Sequence, residues 1–304
     1  MTDNKAYIII DVGGTFLKSA IMERSGTILK KSMSMDLAHS DCSKEHIVDS
    51  IAQIIEKKQL IIQEEGFTLA GIGLTFPGPF NYAQGKPLMT HKYGELYGMN
   101  LSGILRETIG LREDIPLIFK HDANSVLEGE IWTGKAAEFN NSALITLGTG
   151  LGFACAFNKK VMTNEIGGPY ITIFKLPYKD GILEDYASRR GFLKIYGNLC
   201  GSTLPDNFDV LDIAGLAQNG DEYALKTFST VGSIIASSIK QILVENNIEC
   251  LLFAGQISQS FRYMESSVKE SLKDVDCLKR ISQAGSIETA ALSGVMKELS
   301  NKGT

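Results

Sequence analysis

The feature that most constrains the fold is the stretch at residues 7–18, which reads YIIIDVGGTFLK. Its first residues are apolar and predict a short buried strand that ends at Asp11. The glycines that follow predict a tight turn into a second strand. Glycine lets backbone N–H groups approach an anion without a Cβ in the way, and a carboxylate at a strand tip suits Mg²⁺. The stretch therefore indicates either a phosphate-and-metal site or an ordinary hairpin with a capping aspartate.

A second stretch, at residues 142–158, repeats this pattern as SALITLGTGLGFACAFN. Residues 8–21 and 144–157 both read as a buried strand, a Gly/Thr turn and a second strand. Such duplication is typical of two stacked domains with a cleft between them. A strand rather than a helix follows the glycines, and no GxxxxGK[ST] motif occurs, so neither a dinucleotide fold nor a P-loop is indicated. The repeat favours the phosphate interpretation for both turns.

Asp122 is the strongest candidate for chemistry. The sequence PLIFK at 116–120 predicts a buried strand, and helix 123–133 follows HDAN. A carboxylate at that point opens at the C-terminal edge of the sheet, where α/β proteins bind ligands. Aspartate there suits a general base for an alcohol acceptor. An N-cap role for Asp122 or Asn124 stays open on local evidence.

Composition excludes several classes of protein. A net charge of −5 argues against non-specific nucleic-acid binding. No apolar run reaches the roughly 18 residues of a membrane span, and a strand begins too early for a signal peptide. The five cysteines are far apart, which predicts reduced thiols rather than disulfides or a CxxC site. We expect a cytoplasmic protein without nucleic-acid or membrane partners.

The remaining pattern predicts an α/β fold, with mixed sheets flanked by helices, because early strands give way to alternating helices and strands. Further strands are predicted at 18–24, 27–34, 69–76, 248–254 and 277–281. Helices are predicted at 44–65, 101–109, 210–219, 222–246, 257–270 and 287–299. Residues 80–100 read as a long irregular loop, which is either a binding loop or a plain surface excursion.

In order and spacing, the motifs resemble those of the ROK sugar kinases, within the actin-like ATPase superfamily. DVGGT at 11–15 and ITLGTGLG at 145–152 resemble the two phosphate motifs of that family. HDANSVLEGE at 121–130 is similar to its catalytic segment, and FAGQIS at 253–258 to its adenosine-side turn. DGILEDYAS at 180–188 resembles the end of its cysteine-rich zinc motif.

The resemblance implies two actin-like (ribonuclease H-like) domains, a homodimer, and the use of ATP with Mg²⁺. The smaller domain would be 1–121, completed by the C-terminal helix 287–304, and the larger 122–286. Asp122 would be the general base, and Asp11 would hold the magnesium. The implied ATP and phosphate residues are Asp11, Gly13, Gly14, Thr15, Lys18, Thr149, Gly150, Gly255 and Gln256. The implied sugar residues are Gly78, Pro79, His121, Asp122, Glu165 and Glu184.

The chain departs from the family pattern at its zinc motif. The motif cysteines are absent, with Ile182 in place of the last, and Gly168 replaces the usual histidine. We expect no Cys/His cluster and no structural zinc. Apolar packing around Ile173, Phe174, Leu176 and Ile182 is expected to brace the loop instead.

A second departure concerns the sugar. His121 replaces the usual asparagine, which together with Gly168 alters two hydroxyl contacts. We therefore expect a sugar or derivative other than glucose. His91, Tyr93 or Tyr97 is expected to supply the polar contact that is lost. The alternative is a sugar-binding regulatory protein with weak or no kinase activity. Regulators of the family carry an N-terminal helix-turn-helix domain, for which the strand beginning at Tyr7 leaves no room.

Overall fold

The structure is a computed structural model that describes residues 4–90, 92–285 and 289–302. The chain forms two compact units. The first contains the chain up to Trp132, the segment Thr163–Pro169 and the C-terminal helix. The second contains Thr133–Met162 and the chain from Tyr170 onward to the C-terminal helix.

The secondary structure alternates strands and helices along most of the chain. The strands are β1 Lys5–Val12, β2 Phe16–Glu23, β3 Ser34–Leu37, β4 Thr68–Phe76, β5 Phe80–Asn81, β6 Lys86–Pro87, β7 Leu117–His121, β8 Ser142–Leu147, β9 Leu151–Phe157, β10 Lys160–Val161, β11 Pro177–Tyr178, β12 Gly181–Ile182, β13 Cys250–Ala254 and β14 Arg280–Gln283. The helices are α1 Lys44–Glu64, α2 Leu101–Thr108, α3 Asp122–Thr133, α4 Leu183–Ala187, α5 Arg189–Cys200, α6 Val210–Gln218, α7 Glu222–Glu245, α8 Glu265–Ser271 and α9 Ala290–Lys302.

The first unit is built on a mixed five-stranded sheet in the order β3-β2-β1-β4-β7. β1, β2 and β3 pair antiparallel, whereas β1, β4 and β7 run parallel. In the parallel part, Asp11 lies opposite Thr75, and Phe76 lies opposite His121. The C-terminal ends of the three parallel strands therefore meet at one edge of the sheet.

Alternating side chains bury both faces of this sheet, as the two-residue period of a strand requires. Helix α1 covers one face, and α9 covers the other. The α1 face buries Ile8, Ile10, Leu17, Ile47, Ile51 and Ile55. The α9 face buries Tyr7, Ile9, Leu292, Val295, Met296 and Leu299. Burial on both faces explains why β1 is a nearly continuous apolar run.

The division into units differs from the expected boundary, because α3 belongs to the first unit. Helices α3 and α9 approach closely at two glycines. A Cβ on Gly129 would lie 2.2 Å from the Ala290 carbonyl oxygen, and one on Gly294 would lie 1.8 Å from the Ser125 carbonyl oxygen. This packing ties α3 to the C-terminal helix, so the first unit extends to Trp132 rather than ending at residue 121.

The second unit repeats the plan with a five-stranded sheet in the order β10-β9-β8-β13-β14. β8 and β9 form an antiparallel hairpin, and β13 runs parallel to both β8 and β14. Helix α7 is the one helix in the described part of the chain that is long and apolar enough to cross a membrane. Half of its apolar window (50%) is buried inside the protein, as in a core helix.

Three predictions of local structure are wrong in detail. The third strand is β3, Ser34–Leu37, not 27–34, because Ile28 makes only an isolated bridge to Met22. The loop at 80–100 contains the β5–β6 hairpin and a 3-10 turn at Gly94–Leu96. The helix predicted at 257–270 is divided into a 3-10 helix, Gln256–Tyr263, and α8.

Candidate active site

Asp122 lies at the C-terminal edge of the first sheet, as its position after a buried strand predicts. It is the first residue of α3, and its side chain is 45% exposed. Its Oδ1 accepts a hydrogen bond of 2.7 Å from the N–H of Ala123. The Nδ1 of His121 lies 3.1 Å from the same oxygen, without the geometry of a hydrogen bond. The carboxylate therefore keeps its second oxygen free of these two neighbours.

Asp11 lies at the same edge, near the end of β1. The hydroxyl of Thr75 on β4 donates to Asp11 Oδ1 and accepts a 3.3 Å bond from the N–H of Val12. Burial raises the pKa of Asp11, the Thr75 hydroxyl lowers it, and the negative charge of Asp122 raises it further. Lys18, which lies opposite on β2, lowers this pKa slightly. A half-buried carboxylate beside a second carboxylate is a site where a divalent cation relieves repulsion, so these donors fit Mg²⁺.

The first glycine turn is fixed from behind by hydrogen bonds to its carbonyl groups. The N–H of Gly13 donates to the Phe16 carbonyl at 3.0 Å and closes the turn. The hydroxyl of Tyr93 donates to the Gly13 carbonyl at 2.6 Å, and that of Ser40 to the Gly14 carbonyl at 2.8 Å. Thr15 is exposed. A rigid turn with an exposed hydroxyl suits anion binding.

Lys92 is a candidate that the sequence patterns did not single out. A Cβ on Gly14 would lie 2.3 Å from Lys92 Nζ, so the half-buried lysine extends across this glycine. Within the described residues, its ammonium group makes no ion pair or hydrogen bond. The one indication of Lys92 in the sequence is that it lies in the candidate binding loop at 80–100.

His91, Tyr93 and Tyr97 were expected to supply sugar contacts, and the structure places the two tyrosines differently. Tyr93 is buried, with its hydroxyl on Gly13, and burial raises its pKa. It therefore supports the glycine turn from behind. Tyr97 is 57% exposed. His91 lies outside the described residues.

Gly78, one of the expected sugar residues of the first unit, lies beside His121. A Cβ on Gly78 would lie 3.5 Å from His121 Cδ2, and Pro79 follows that glycine. The ring of Tyr82 meets His121 edge-on, with centroids 5.8 Å apart. The N–H of Tyr82 donates to the Ile166 carbonyl at 2.8 Å, which ties the segment of exposed Glu165 to the same unit.

The second glycine turn joins β8 to β9 in the second unit. The N–H of Gly148 donates to the Gly150 carbonyl at 3.1 Å, and Thr149 and Gly150 are exposed. Glu184 Oε2 accepts a 2.9 Å bond from the N–H of Leu151, directly after this turn. Glu184 thus belongs to the second unit, whereas the other expected sugar residues belong to the first.

Gly255 lies beside the second turn, because β8 and β13 are neighbours with Ala254 opposite Thr146. Its φ of 86° and ψ of 170° form a conformation that is almost restricted to glycine. A Cβ there would lie 2.4 Å from the Leu147 carbonyl oxygen. Gln256, which begins the 3-10 helix, is exposed. The expected nucleotide residues of the second unit therefore share one sheet edge.

The loop that replaces the zinc motif is braced by apolar packing and backbone hydrogen bonds. Ile173 is fully buried, and Phe174 and Leu176 pack on the same core. The N–H of Leu176 donates to the Ile173 carbonyl at 3.0 Å. Ile182 is half-buried in the short β11–β12 hairpin. The predicted packing is therefore present for the first three of these residues.

The prediction that the chain has no Cys/His cluster is wrong. His39, Cys42 and His46 each offer a donor atom, and these atoms lie within 4.8 Å of one another. The three donors lie around the start of α1 and match neither the family's zinc motif nor a CxxC pair.

Comparison with known proteins gives the family. The sequence model of the ROK family matches residues 7–297. The chain belongs to the ROK family. It is 25% identical over 310 residues to a glucokinase of Halalkalibacterium halodurans, covering 94% of this chain and 90% of that protein.

Solved structures show the same fold. A ROK family glucokinase from Streptomyces griseus, in complex with glucose and AMPPNP, has a TM-score of 0.78 at 19% identity, covering 98% of this chain and 99% of its own. A ROK family transcriptional regulator, a homolog of the E. coli MLC protein, has a TM-score of 0.84 at 18% identity, covering 99% of this chain and 79% of its own. The predicted α/β, two-domain actin-like fold is confirmed.

Proposed function

We propose that this ROK protein is an ATP-dependent sugar kinase, which transfers the γ-phosphate to a hydroxyl of a hexose or hexose derivative. The observation that carries the proposal is the parallel register of β1, β4 and β7, which brings the Asp11 and Asp122 carboxylates to one sheet edge. The similarity to a glucokinase and to a structure that holds glucose and the ATP analogue AMPPNP supports it.

Asp122 is proposed as the general base. Its half-exposed carboxylate would accept the proton of the sugar hydroxyl as that oxygen forms a bond to the γ-phosphorus. The bond between the γ-phosphorus and the bridging oxygen breaks, ADP keeps that electron pair, and the proton passes later to solvent. The His121 ring lies beside this carboxylate, with its Nδ1 3.1 Å from Oδ1.

The phosphates would be held by the first glycine turn. Asp11 would hold magnesium, which when bound neutralises the phosphate charge. Gly14 and Thr15 would donate hydrogen bonds to phosphate oxygens, and Gly13, whose N–H closes the turn on the Phe16 carbonyl, would let the phosphates approach without a side chain in the way. Lys18 would add positive charge at the strand end. We also assign Lys92 to the phosphates, because its ammonium lies on the turn and pairs with no described acid. In the second unit, the proposed nucleotide contacts are Thr149, Gly150, Gly255 and Gln256.

The proposed sugar contacts in the first unit are Gly78, Pro79, His121, Asp122 and Glu165. Glu184 is proposed as a further contact, although one of its oxygens already accepts the Leu151 N–H and the other lies 3.2 Å from Arg190 Nη2. Because His121 and Gly168 change two polar contacts, we propose a sugar other than glucose. One mismatched polar contact can cost about 1–3 kcal/mol.

A substrate panel tests the proposal. Purified protein with Mg-ATP is assayed for ADP formation with glucose, mannose, N-acetylglucosamine, N-acetylmannosamine and a sugar-free control. Sugar-dependent ADP formation supports the kinase, and efficient use of glucose would refute the expected change of specificity. ATP binding without sugar-dependent turnover on a wider panel would refute the kinase assignment.

The alternative is a sugar-binding regulatory protein with weak or no kinase activity, since a ROK family transcriptional regulator has the same fold, with a TM-score of 0.84 at 18% identity. Sugar binding, seen as a thermal shift without ADP formation, would support it.

We also propose that the protein is a cytoplasmic homodimer. Light scattering of the eluted protein measures the oligomeric state.

A further inference from the structure

We propose that His39, Cys42 and His46 bind one divalent transition-metal ion, with zinc as the fitting metal, between β3 and α1. Each residue offers one donor atom, and the three donor atoms lie within 4.8 Å of one another. The two imidazole rings meet edge-on, with centroids 4.5 Å apart. None of these three residues is among the proposed kinase residues, and the site is separate from the loop that resembles the family's zinc motif.

The donor set selects the metal. Imidazole nitrogen and thiolate sulfur are preferred zinc ligands, whereas Mg²⁺ and Ca²⁺ require oxygen. Zinc distances of about 2.0–2.3 Å in a tetrahedron place donors about 3.3–3.8 Å apart. Because the donor atoms lie within 4.8 Å of one another, the cluster needs to contract by at most about 1.5 Å to reach this geometry. His46 is exposed and the other two are half-buried, so side-chain rotation permits that contraction. The fourth position remains for water.

Local backbone structure brings the donors together. His39 has a left-handed φ of 50°, and the N–H of Cys42 donates to the His39 carbonyl at 3.0 Å. Ser43 then caps α1, since its hydroxyl oxygen accepts from the N–H of His46 at 3.4 Å. The turn and the helix start thus place all three side chains on one side. Two of the four histidines in the chain are used here.

The cluster adjoins residues that hold the first glycine turn. The N–H of Ala38 donates to the Thr15 carbonyl at 3.0 Å, and the Ser40 hydroxyl to the Gly14 carbonyl at 2.8 Å. These two residues flank His39 in the chain. A metal that fixes His39 would therefore stabilise this part of the first unit.

Metal titration of the full-length, untagged protein tests the site. The protein is treated with a chelator, desalted and titrated with Zn²⁺ alone, and separately with Co²⁺ as a spectroscopic probe. We expect one zinc per chain, a higher Tm with zinc, and visible bands of tetrahedral Co²⁺ together with a thiolate-to-cobalt charge-transfer band.

Variants assign the ligands. Cys42→Ser should abolish the charge-transfer band, and His46→Gln should weaken zinc binding at least tenfold. Cys200→Ser, which changes another half-buried free thiol, should leave both unchanged. Because His46 is exposed, its variant keeps the fold intact, and circular dichroism checks this. Absence of zinc binding, or stoichiometric binding that persists in both ligand variants, would overturn the proposal.

Discussion

At the scale of single residues, the Asp11 carboxylate that is proposed to hold magnesium destabilises the folded protein when it is charged. Burial raises its pKa, so the folded protein binds this proton more tightly than the unfolded chain does. Stability from this group is therefore greatest at low pH and falls as the pH rises through the interval between the unfolded and the folded pKa. At neutral pH, the partly desolvated charge of Asp11 lowers the free energy of unfolding.

Asp11→Asn should consequently raise the Tm at neutral pH, because an amide is buried without charge and still accepts the Thr75 hydroxyl. The gain should shrink as the pH is lowered into that interval, where the wild-type carboxyl also becomes neutral. Thermal melts at several pH values measure this, with Asp206→Asn as an exposed control. A lower Tm of the Asp11 variant at neutral pH would contradict the account.

Lys92→Ala should weaken Mg-ATP binding about tenfold to hundredfold, the effect of removing one charged hydrogen bond. Isothermal titration measures the affinity. Lys86→Ala, in the same loop, is the matched control because Lys86 is also half-buried. Equal losses in the two variants would show that only general charge matters.

The sequence predicted the edge positions of Asp11 and Asp122, because a carboxylate after a buried strand is a local pattern. It did not predict Thr75 or Lys92, whose partners Asp11 and Gly14 are distant in the chain and meet only through strand pairing and loop packing. His39, Cys42 and His46 were readable as H-x2-C-x3-H around a helix start.

At the scale of elements, Gly255 is a conformational requirement at the end of β13. An alanine there would adopt a conformation almost restricted to glycine and would also collide with the Leu147 carbonyl. The sequence predicted the strand and its terminal glycine, but not this close approach to the end of β8.

Gly255→Ala should lower the free energy of unfolding by more than Gly201→Ala. Gly201 has a φ of 67° with open space around it, so its variant should cost only the left-handed strain, about 1–2 kcal/mol. Urea unfolding measures both. A cost at Gly255 no greater than at Gly201 would show that the backbone relaxes away from the collision.

The position of β3 could not be predicted from the local sequence pattern. Residues 27–34 have strand-like composition, yet the buried Ser32 hydroxyl lies 3.0 Å from the N–H of Ile21 and accepts its hydrogen bond. Lys58 from α1 donates to the Ser32 carbonyl. These tertiary hydrogen bonds stabilise a turn before Ser34, so β3 begins only at that residue. The hydrophobic pattern of the sequence does not predict such contacts.

At the scale of the whole molecule, the C-terminal helix is structurally part of the first unit. Val295 and Leu299 are fully buried beneath β1 and β4. Lys120 of β7 makes ion pairs with Glu128 of α3 at 2.5 Å and Glu298 of α9 at 2.8 Å. The sequence suggested this completion through family resemblance, whereas the place of α3 depended on glycine contacts that only the structure shows.

Leu299→Ala should lower the free energy of unfolding by about 2–5 kcal/mol, because it leaves a cavity against the sheet. Leu211→Ala, at a leucine that is 82% exposed, should change it by less than about 0.5 kcal/mol. Urea unfolding compares the two variants. A similar small effect in both would mean that α9 contributes little to the first unit.

The most direct test of the central claim is phosphoryl transfer by Asp122→Asn, measured as ADP formation with the best sugar of the panel. Losing a general base should reduce kcat about 10²–10⁴-fold, while Mg-ATP and sugar affinities stay within a few-fold of wild type. Asp206→Asn should keep full activity. Wild-type turnover by the Asp122 variant would contradict the account.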